Sequence, residues 1–121
     1  MANSVLFGVL CVLGEALALA DRLGLSRDAA FEVLATTPLS AQANRRRSAI
    51  EGGQYPPRFS LSLARKDADL ILEAAAATGT DLRLAAAARA WLAEAGGAGP
   101  GERDYSAVIA RILERTPRSR P

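Results

Sequence analysis

The sequence predicts an all-α domain, a compact bundle of about six helices with a long first one, and three observations carry that prediction. Aromatic residues are only 5% of the chain while 50% is apolar, and the apolar part is rich in Ala and Leu, which favour helix over sheet. Between Ser4 and Leu23 the apolar positions recur at helical spacing. No segment alternates Val, Ile or Thr with polar residues as a half-buried strand would. At 121 residues, 23% of them charged, the chain has the size of one domain with a modest core. The helical domain is expected over residues 1–115. A disordered tail is expected over 116–121, which has no apolar content to anchor it.

In the first helix, Leu6, Leu10, Leu13, Leu17 and Ala20 make one stripe, and Val5, Val9, Val12, Ala16, Leu19 and Leu23 an adjoining one. A helix apolar over so wide a face is expected to be buried nearly all round. Gly24 stops it. Ser26 caps a short second helix carrying Ala29, Ala30, Phe31, Val33 and Leu34, which Thr37-Pro38 ends. A third begins after Ser40 and runs through Arg45-Arg46-Arg47 to Gly52-Gly53. Tyr55-Pro56-Pro57 then forces an extended connection that Phe59 closes. A fourth helix opens near Ser60 or Ser62 and ends at Gly79, and Asp81 caps a fifth that holds Leu84, Ala88, Trp91 and Leu92. Gly96 to Gly101 reads as a loop, after which Asp104 or Ser106 caps a last helix bearing Val108, Ile109, Ile112 and Leu113. The first helix is in full apolar period by Leu6 with only Asn3 and Ser4 as weak caps. That pattern fits either a frayed start or a domain that continues upstream.

Composition narrows the chemistry. Histidine is absent and cysteine occurs once, at Cys11, which excludes a His-based triad, a Cys/His zinc site and an internal disulfide. Cys11 lies in an apolar run with nothing basic nearby, so packing is its expected role. Fifteen basic residues face thirteen acidic ones for a net charge of +2, too small an excess to imply a nucleic-acid partner. Ala18-Leu19-Ala20 before Asp21 imitates a signal-peptidase site, but no basic residue precedes the apolar stretch and Glu15 interrupts it. Its uncharged run is shorter than the ~18 residues of a membrane span. A cytoplasmic protein with no membrane partner is expected.

Two charges on the fourth helix stand out. Leu63 precedes Lys66 by three, Leu70 follows it by four, and Ile71 follows Asp67 by four, so Lys66 and Asp67 interrupt an apolar side. Either Lys66 snorkels from the edge of that side while Asp67 complements the helix dipole, or the pair faces a cleft or a partner. Arg65, Asp69 and Glu73 form a solvated face with opposite charges in reach of one another. Arg45-Arg46-Arg47 reads as a solvated basic turn near Glu51, with no aromatic residues interleaved for phosphate or base contacts, and Trp91 reads as core. No glycine-rich phosphate loop follows a strand, so the chain carries no dinucleotide-binding half of its own.

Asn3, Glu15-Ala16 with Leu19-Ala20, Gly24-Leu25, Phe59 with Lys66-Asp67 shortly after, Gly79 and Asp104-Tyr105-Ser106 together resemble the carboxyl-terminal domain of β-hydroxyacid dehydrogenases, over roughly residues 2 to 114. That family includes 3-hydroxyisobutyrate dehydrogenase, tartronate semialdehyde reductase and glyoxylate/succinic semialdehyde reductase, with imine reductases as relatives. The resemblance implies a fold like the carboxyl-terminal domain of 6-phosphogluconate dehydrogenase. It also implies a two-domain enzyme in which a Rossmann domain binds NAD or NADP and this domain covers the nicotinamide and a small hydroxy acid or semialdehyde. By the same resemblance Asn3 orients the substrate, Asp67 holds the catalytic Lys or the substrate, Lys66 contacts the cofactor and Phe59 walls the pocket. The family's catalytic Lys lies four residues before the Asn and would fall just before Met1, so the chain is expected to be a truncated copy, inactive alone. A homo-oligomer through the first helix is expected. The competing reading is a non-catalytic helical interaction module, or the equivalent domain of an imine reductase.

Overall fold

The computed structural model describes the backbone of residues 1–98 and 102–115, and among them every regular element is helical. The order is α1 (Ala2–Arg22), α2 (Arg27–Leu34), α3 (Ser40–Gly52), α4 (Leu61–Thr78), α5 (Arg83–Ala98) and α6 (Val108–Arg115), the last entered through a 3-10 turn at Tyr105–Ala107. The six-helix bundle with a long first helix stands as predicted. The proposed tail over 116–121 lies outside the described residues.

The boundaries follow local chemistry. Ser26 accepts from the Ala29 N–H and Ser60 from the Leu63 N–H, each satisfying a donor that a helix start leaves open. Gly24 and Gly79 stand at positive φ, 82° and 69°, where the chain turns out of α1 and α4. The fifth helix departs from expectation at both ends. Its first turn closes on the Leu82 carbonyl, while Asp81 bonds the Arg83 guanidinium at 2.8 Å. At its far end Gly96 and Gly97 remain helical, with no proline before position 100. Positions 99–101 of the expected loop lie outside the described residues.

The 21 residues of α1 extend about 31 Å and form the axis, touching α2, α3, α4, α5 and α6. Leu10, Leu13 and Leu17 are fully buried, as are Leu92, Val108, Ile109 and Ile112 from α5 and α6. Gly14 lets α6 come close: a Cβ there would lie 2.9 Å from Ile112 Cδ1 and 3.4 Å from Ile109 Cα. Cys11 is buried in this core, and desolvation together with nearby Glu15 pushes its thiol up to about 12, which leaves it a packing residue.

Burial all round α1 does not occur. Val5, Val12, Leu19 and Leu23 are between 54% and 68% exposed, because five neighbouring helices approach from one side and none lies over the valine-rich stripe. α1 is also long and apolar enough to cross a membrane by length and composition alone, contrary to the count of uncharged residues. In this fold its other stripe is instead the protein core, and Asp21 is buried against Arg27 at 2.8 Å.

The two α1 glycines give opposite expectations. Gly8 has open space where a Cβ would stand, so Gly8→Ala should raise the unfolding free energy by about 0.5–1 kcal/mol through helix propensity. Gly14→Val should lower it by about 2–3 kcal/mol through overpacking against α6. Urea denaturation of the two variants beside the parent checks both signs.

Candidate functional site

The connection between α3 and α4 is pinned by one carboxylate. Proline at 56 and 57 bars helix there, and the chain runs extended until Asp104 collects it. Asp104 Oδ1 accepts from the backbone N–H groups of Arg58 and Phe59, both at 3.0 Å. Its Oδ2 accepts from the Ser106 N–H at 3.2 Å and the Ser106 hydroxyl at 2.5 Å. The Asp104 N–H donates to the Tyr55 carbonyl and the Tyr105 N–H to the Phe59 carbonyl. Burial would raise this carboxyl, but the donors from Phe59, Ser106 and Arg58 outweigh it and hold Asp104 below the ordinary carboxylate range.

This tie sets Phe59 into a ring cluster, 6.0 Å from Phe7 and 5.0 Å from Tyr105 between centroids. Phe7 is one turn beyond Asn3 on α1. Asn3 Nδ2 donates to Asp67 Oδ2 at 2.6 Å, joining the start of α1 to the second turn of α4. An amide has two N–H donors and a carbonyl acceptor, so this bond leaves Asn3 with one donor and the acceptor.

Lys66 does not share a hollow with these residues. It is exposed and lines an open depression of about 400 Å³ with Leu61, Ser62, Arg65 and Glu102, whereas Phe59 lines a different hollow of about 770 Å³. No hydrogen bond or ion pair holds Lys66 among the described residues. The apolar side that Lys66 was read as interrupting is itself exposed at Leu63 and Leu70. α4 packs instead through Leu61, Ala64, Ala68 and Ala75, because small residues let it approach α5 closely. Lys66 therefore bears no burial cost, and Asp67 meets its own through Asn3.

Several side chains sit differently from their expected surroundings. Asp69 pairs with Arg89 of α5 at 2.7 Å rather than with Arg65. Trp91 is half-buried, with its indole N–H on Glu15 at 2.9 Å. The three arginines are helical, not a turn. Arg47 does reach Glu51, at 2.7 Å, and also Asp28 at 2.6 Å. Arg46 is drawn inward: its Nε donates to Gln42 at 3.3 Å, its Nη2 to the Tyr105 hydroxyl at 2.8 Å, and its guanidinium lies 5.3 Å from the Tyr105 ring centre. Sequence reasoning used Asp104 as a helix cap and, with Tyr105, as part of the family resemblance, and read Arg46 as part of a solvated basic turn, so it gave none of the three a place in the site. Four residues of separation between Gln42 and Arg46 was the one local signal for their pairing; Tyr105 lies 59 residues from Arg46.

A family model described as NAD-binding of NADP-dependent 3-hydroxyisobutyrate dehydrogenase matches residues 1–112. The chain is 36% identical over 104 residues to the cytokine-like nuclear factor N-PAC of Aedes aegypti, covering 85% of this chain and 19% of that protein. It is 30% identical over 116 residues to glyoxylate/succinic semialdehyde reductase 1 of Arabidopsis thaliana, covering 93% of this chain and 39% of that one. The solved structure of Mycobacterium tuberculosis 3-hydroxyisobutyrate dehydrogenase with L-serine superposes with a TM-score of 0.75 at 30% identity, over 92% of this chain and 40% of that one. The chain thus spans two-fifths or less of the length of these relatives.

The Asp104 tie has a pH signature. Because folding lowers this carboxyl's pKa, its stabilisation is present above the unfolded value of about 3.9 and lost as acid protonates the folded carboxylate. Asp104→Asn should cost about 1–3 kcal/mol near neutral pH, since its amide would confront the Ser106 donors. Denaturation repeated at about pH 3 should show a smaller difference from the parent.

Proposed function

This chain belongs to the 3-hydroxyisobutyrate dehydrogenase family, matching its NAD-binding helical domain over residues 1–112, and we propose on that footing that it covers cofactor and substrate in an NAD(P)-dependent dehydrogenase or reductase of small hydroxy acids or semialdehydes. The observation that supports this reading is the 2.6 Å bond between Asn3 and Asp67. It fixes an amide at the start of α1 with a donor and an acceptor left for a substrate oxygen.

The chain's own residues suit the task. Asp67 holds the Asn3 amide in one orientation, so substrate meets a donor already positioned. Lys66 stands exposed without a counter-ion among the described residues, between the exposed Leu63 and Leu70, and so offers a free ammonium to the anionic cofactor. Phe59, held by Asp104, walls the substrate side. When bound, NAD or NADP supplies or accepts the hydride.

The reading includes a homo-oligomer through α1. Val5, Val9, Val12, Ala16, Leu19 and Leu23 repeat at alternating intervals of four and three, the spacing of a seam that pairs with another helix, and the four largest gaps in its cover are at Val5, Val12, Leu19 and Leu23. The same stripe favours the second reading, a non-catalytic interaction module, which makes no use of Lys66.

Two measurements separate them. Saturation-transfer NMR of the chain with NADH and NADPH should give a nicotinamide signal that weakens about tenfold in Lys66→Ala and is unchanged in Arg83→Ala; an equal signal in both variants favours the interaction module. Sedimentation should show an assembly that Val12→Asp reduces to monomer, and a monomeric parent chain would remove the oligomer from either reading.

A further inference from the structure

Six arginines of this protein are paired, while Arg65 and Lys66 on α4 and two arginines at one hollow have no ion pair among the described residues. Arg27, Arg47, Arg83, Arg89, Arg111 and Arg115 each meet a carboxylate. The hollow of about 770 Å³ is lined by Arg45, Arg46 and Arg58 together with Tyr55, Phe59 and Tyr105. The exposed Arg45 and Arg58 side chains have no ion pair among the described residues.

The carboxylate in the hollow, Asp104, spends both oxygens on the N–H groups of Arg58, Phe59 and Ser106 and on the Ser106 hydroxyl. It reaches Arg46 only at 3.9 Å, beyond hydrogen-bond distance. Three guanidiniums against one carboxylate leave the hollow with two positive charges. Arg46 is also pre-oriented, with its side chain 14% exposed and its Nε and Nη2 already bonded to Gln42 and Tyr105, so its Nη1 edge is the part left to donate.

We propose that this hollow is a binding site for a small organic dianion, a phosphate ester or a dicarboxylate, with the arginines taking the acidic groups and the three aromatic rings the carbon skeleton. Its volume falls within the usual range of small-molecule sites, about 300–1,000 Å³. A concave site of that size suits a compact ligand better than a nucleic-acid strand, which needs a track of cations along a groove. Guanidinium forks suit both phosphate and carboxylate oxygens. Phe59 touches Phe7, one turn from Asn3. On the dehydrogenase reading, the site then receives a remote acidic group of the substrate and selects substrates that have one. Anion binding itself does not rest on that reading.

The test is a 1H–15N NMR titration of the 121-residue chain with inorganic phosphate and, separately, succinate, against chloride at matched ionic strength. Saturable shifts are expected at the Arg58, Phe59, Tyr105 and Ser106 amides and at Arg46 Nε–H, with chloride inert. The double variant Arg45→Gln/Arg58→Gln changes only exposed side chains and should weaken binding about tenfold or more, while Arg83→Gln should leave it unchanged. Shifts that never saturate, that chloride reproduces, or that survive in the double variant overturn the proposal. The nicotinamide signal governed by Lys66 is read separately, so loss of this site leaves the dehydrogenase reading standing.

Discussion

The close approach of α1 and α6 at Gly14 governs the rest of the molecule. With no side chain on that glycine, Ile109 and Ile112 settle directly against the α1 backbone, and Leu10, Leu13 and Leu17 are enclosed to either side. Dense packing of this kind transmits position along a stiff helix. α1 therefore enters the site at a fixed place, with Phe7 under the aromatic cluster and Asn3 beside Asp67.

Polar contacts then lock what the core has aligned. Asp104 joins the α3–α4 connection to the entry of α6 with four donors on one carboxylate, and the Asn3 bond joins α1 to α4. Both are long-range contacts, the first holding the Phe59 backbone and the second one turn of α1 from Phe7, which packs against Phe59. The site is thus assembled by two small polar bridges laid over an apolar axis. The charged side chains elsewhere follow a different logic: Glu94 gathers Arg111 and Arg115 between α5 and α6, and Asp69 takes Arg89 between α4 and α5. Such partly exposed pairs stabilise modestly, whereas Lys66, Arg65, Arg45 and Arg58 are left without an ion pair among the described residues.

One-sided burial of α1 has a related consequence. A helix of this apolarity covered by neighbours on one face only leaves a valine and leucine stripe in water, and large exposed apolar patches belong to interaction surfaces. The matched part of this chain makes up 40% of the Mycobacterium tuberculosis relative's structure.

Helix starts and stops were readable from residue order, because Ser26, Ser60, Gly24 and Gly79 act on donors and dihedrals within a turn of themselves. The pairing of Arg47 with Glu51 was readable for the same reason, as was the break at Tyr55-Pro56-Pro57. Motif order also carried the family. Periodicity could say that both α1 stripes are apolar, yet not which one the core would use, since that depends on the side from which five other helices arrive. It misjudged Leu63 and Leu70 for the same reason, for α4 needed small residues rather than large ones to approach α5. The partners of Asn3, Arg46 and Asp104 lie 64, 59 and 46 residues away. Contacts across such distances are set by how whole helices pack, and no local pattern encodes them.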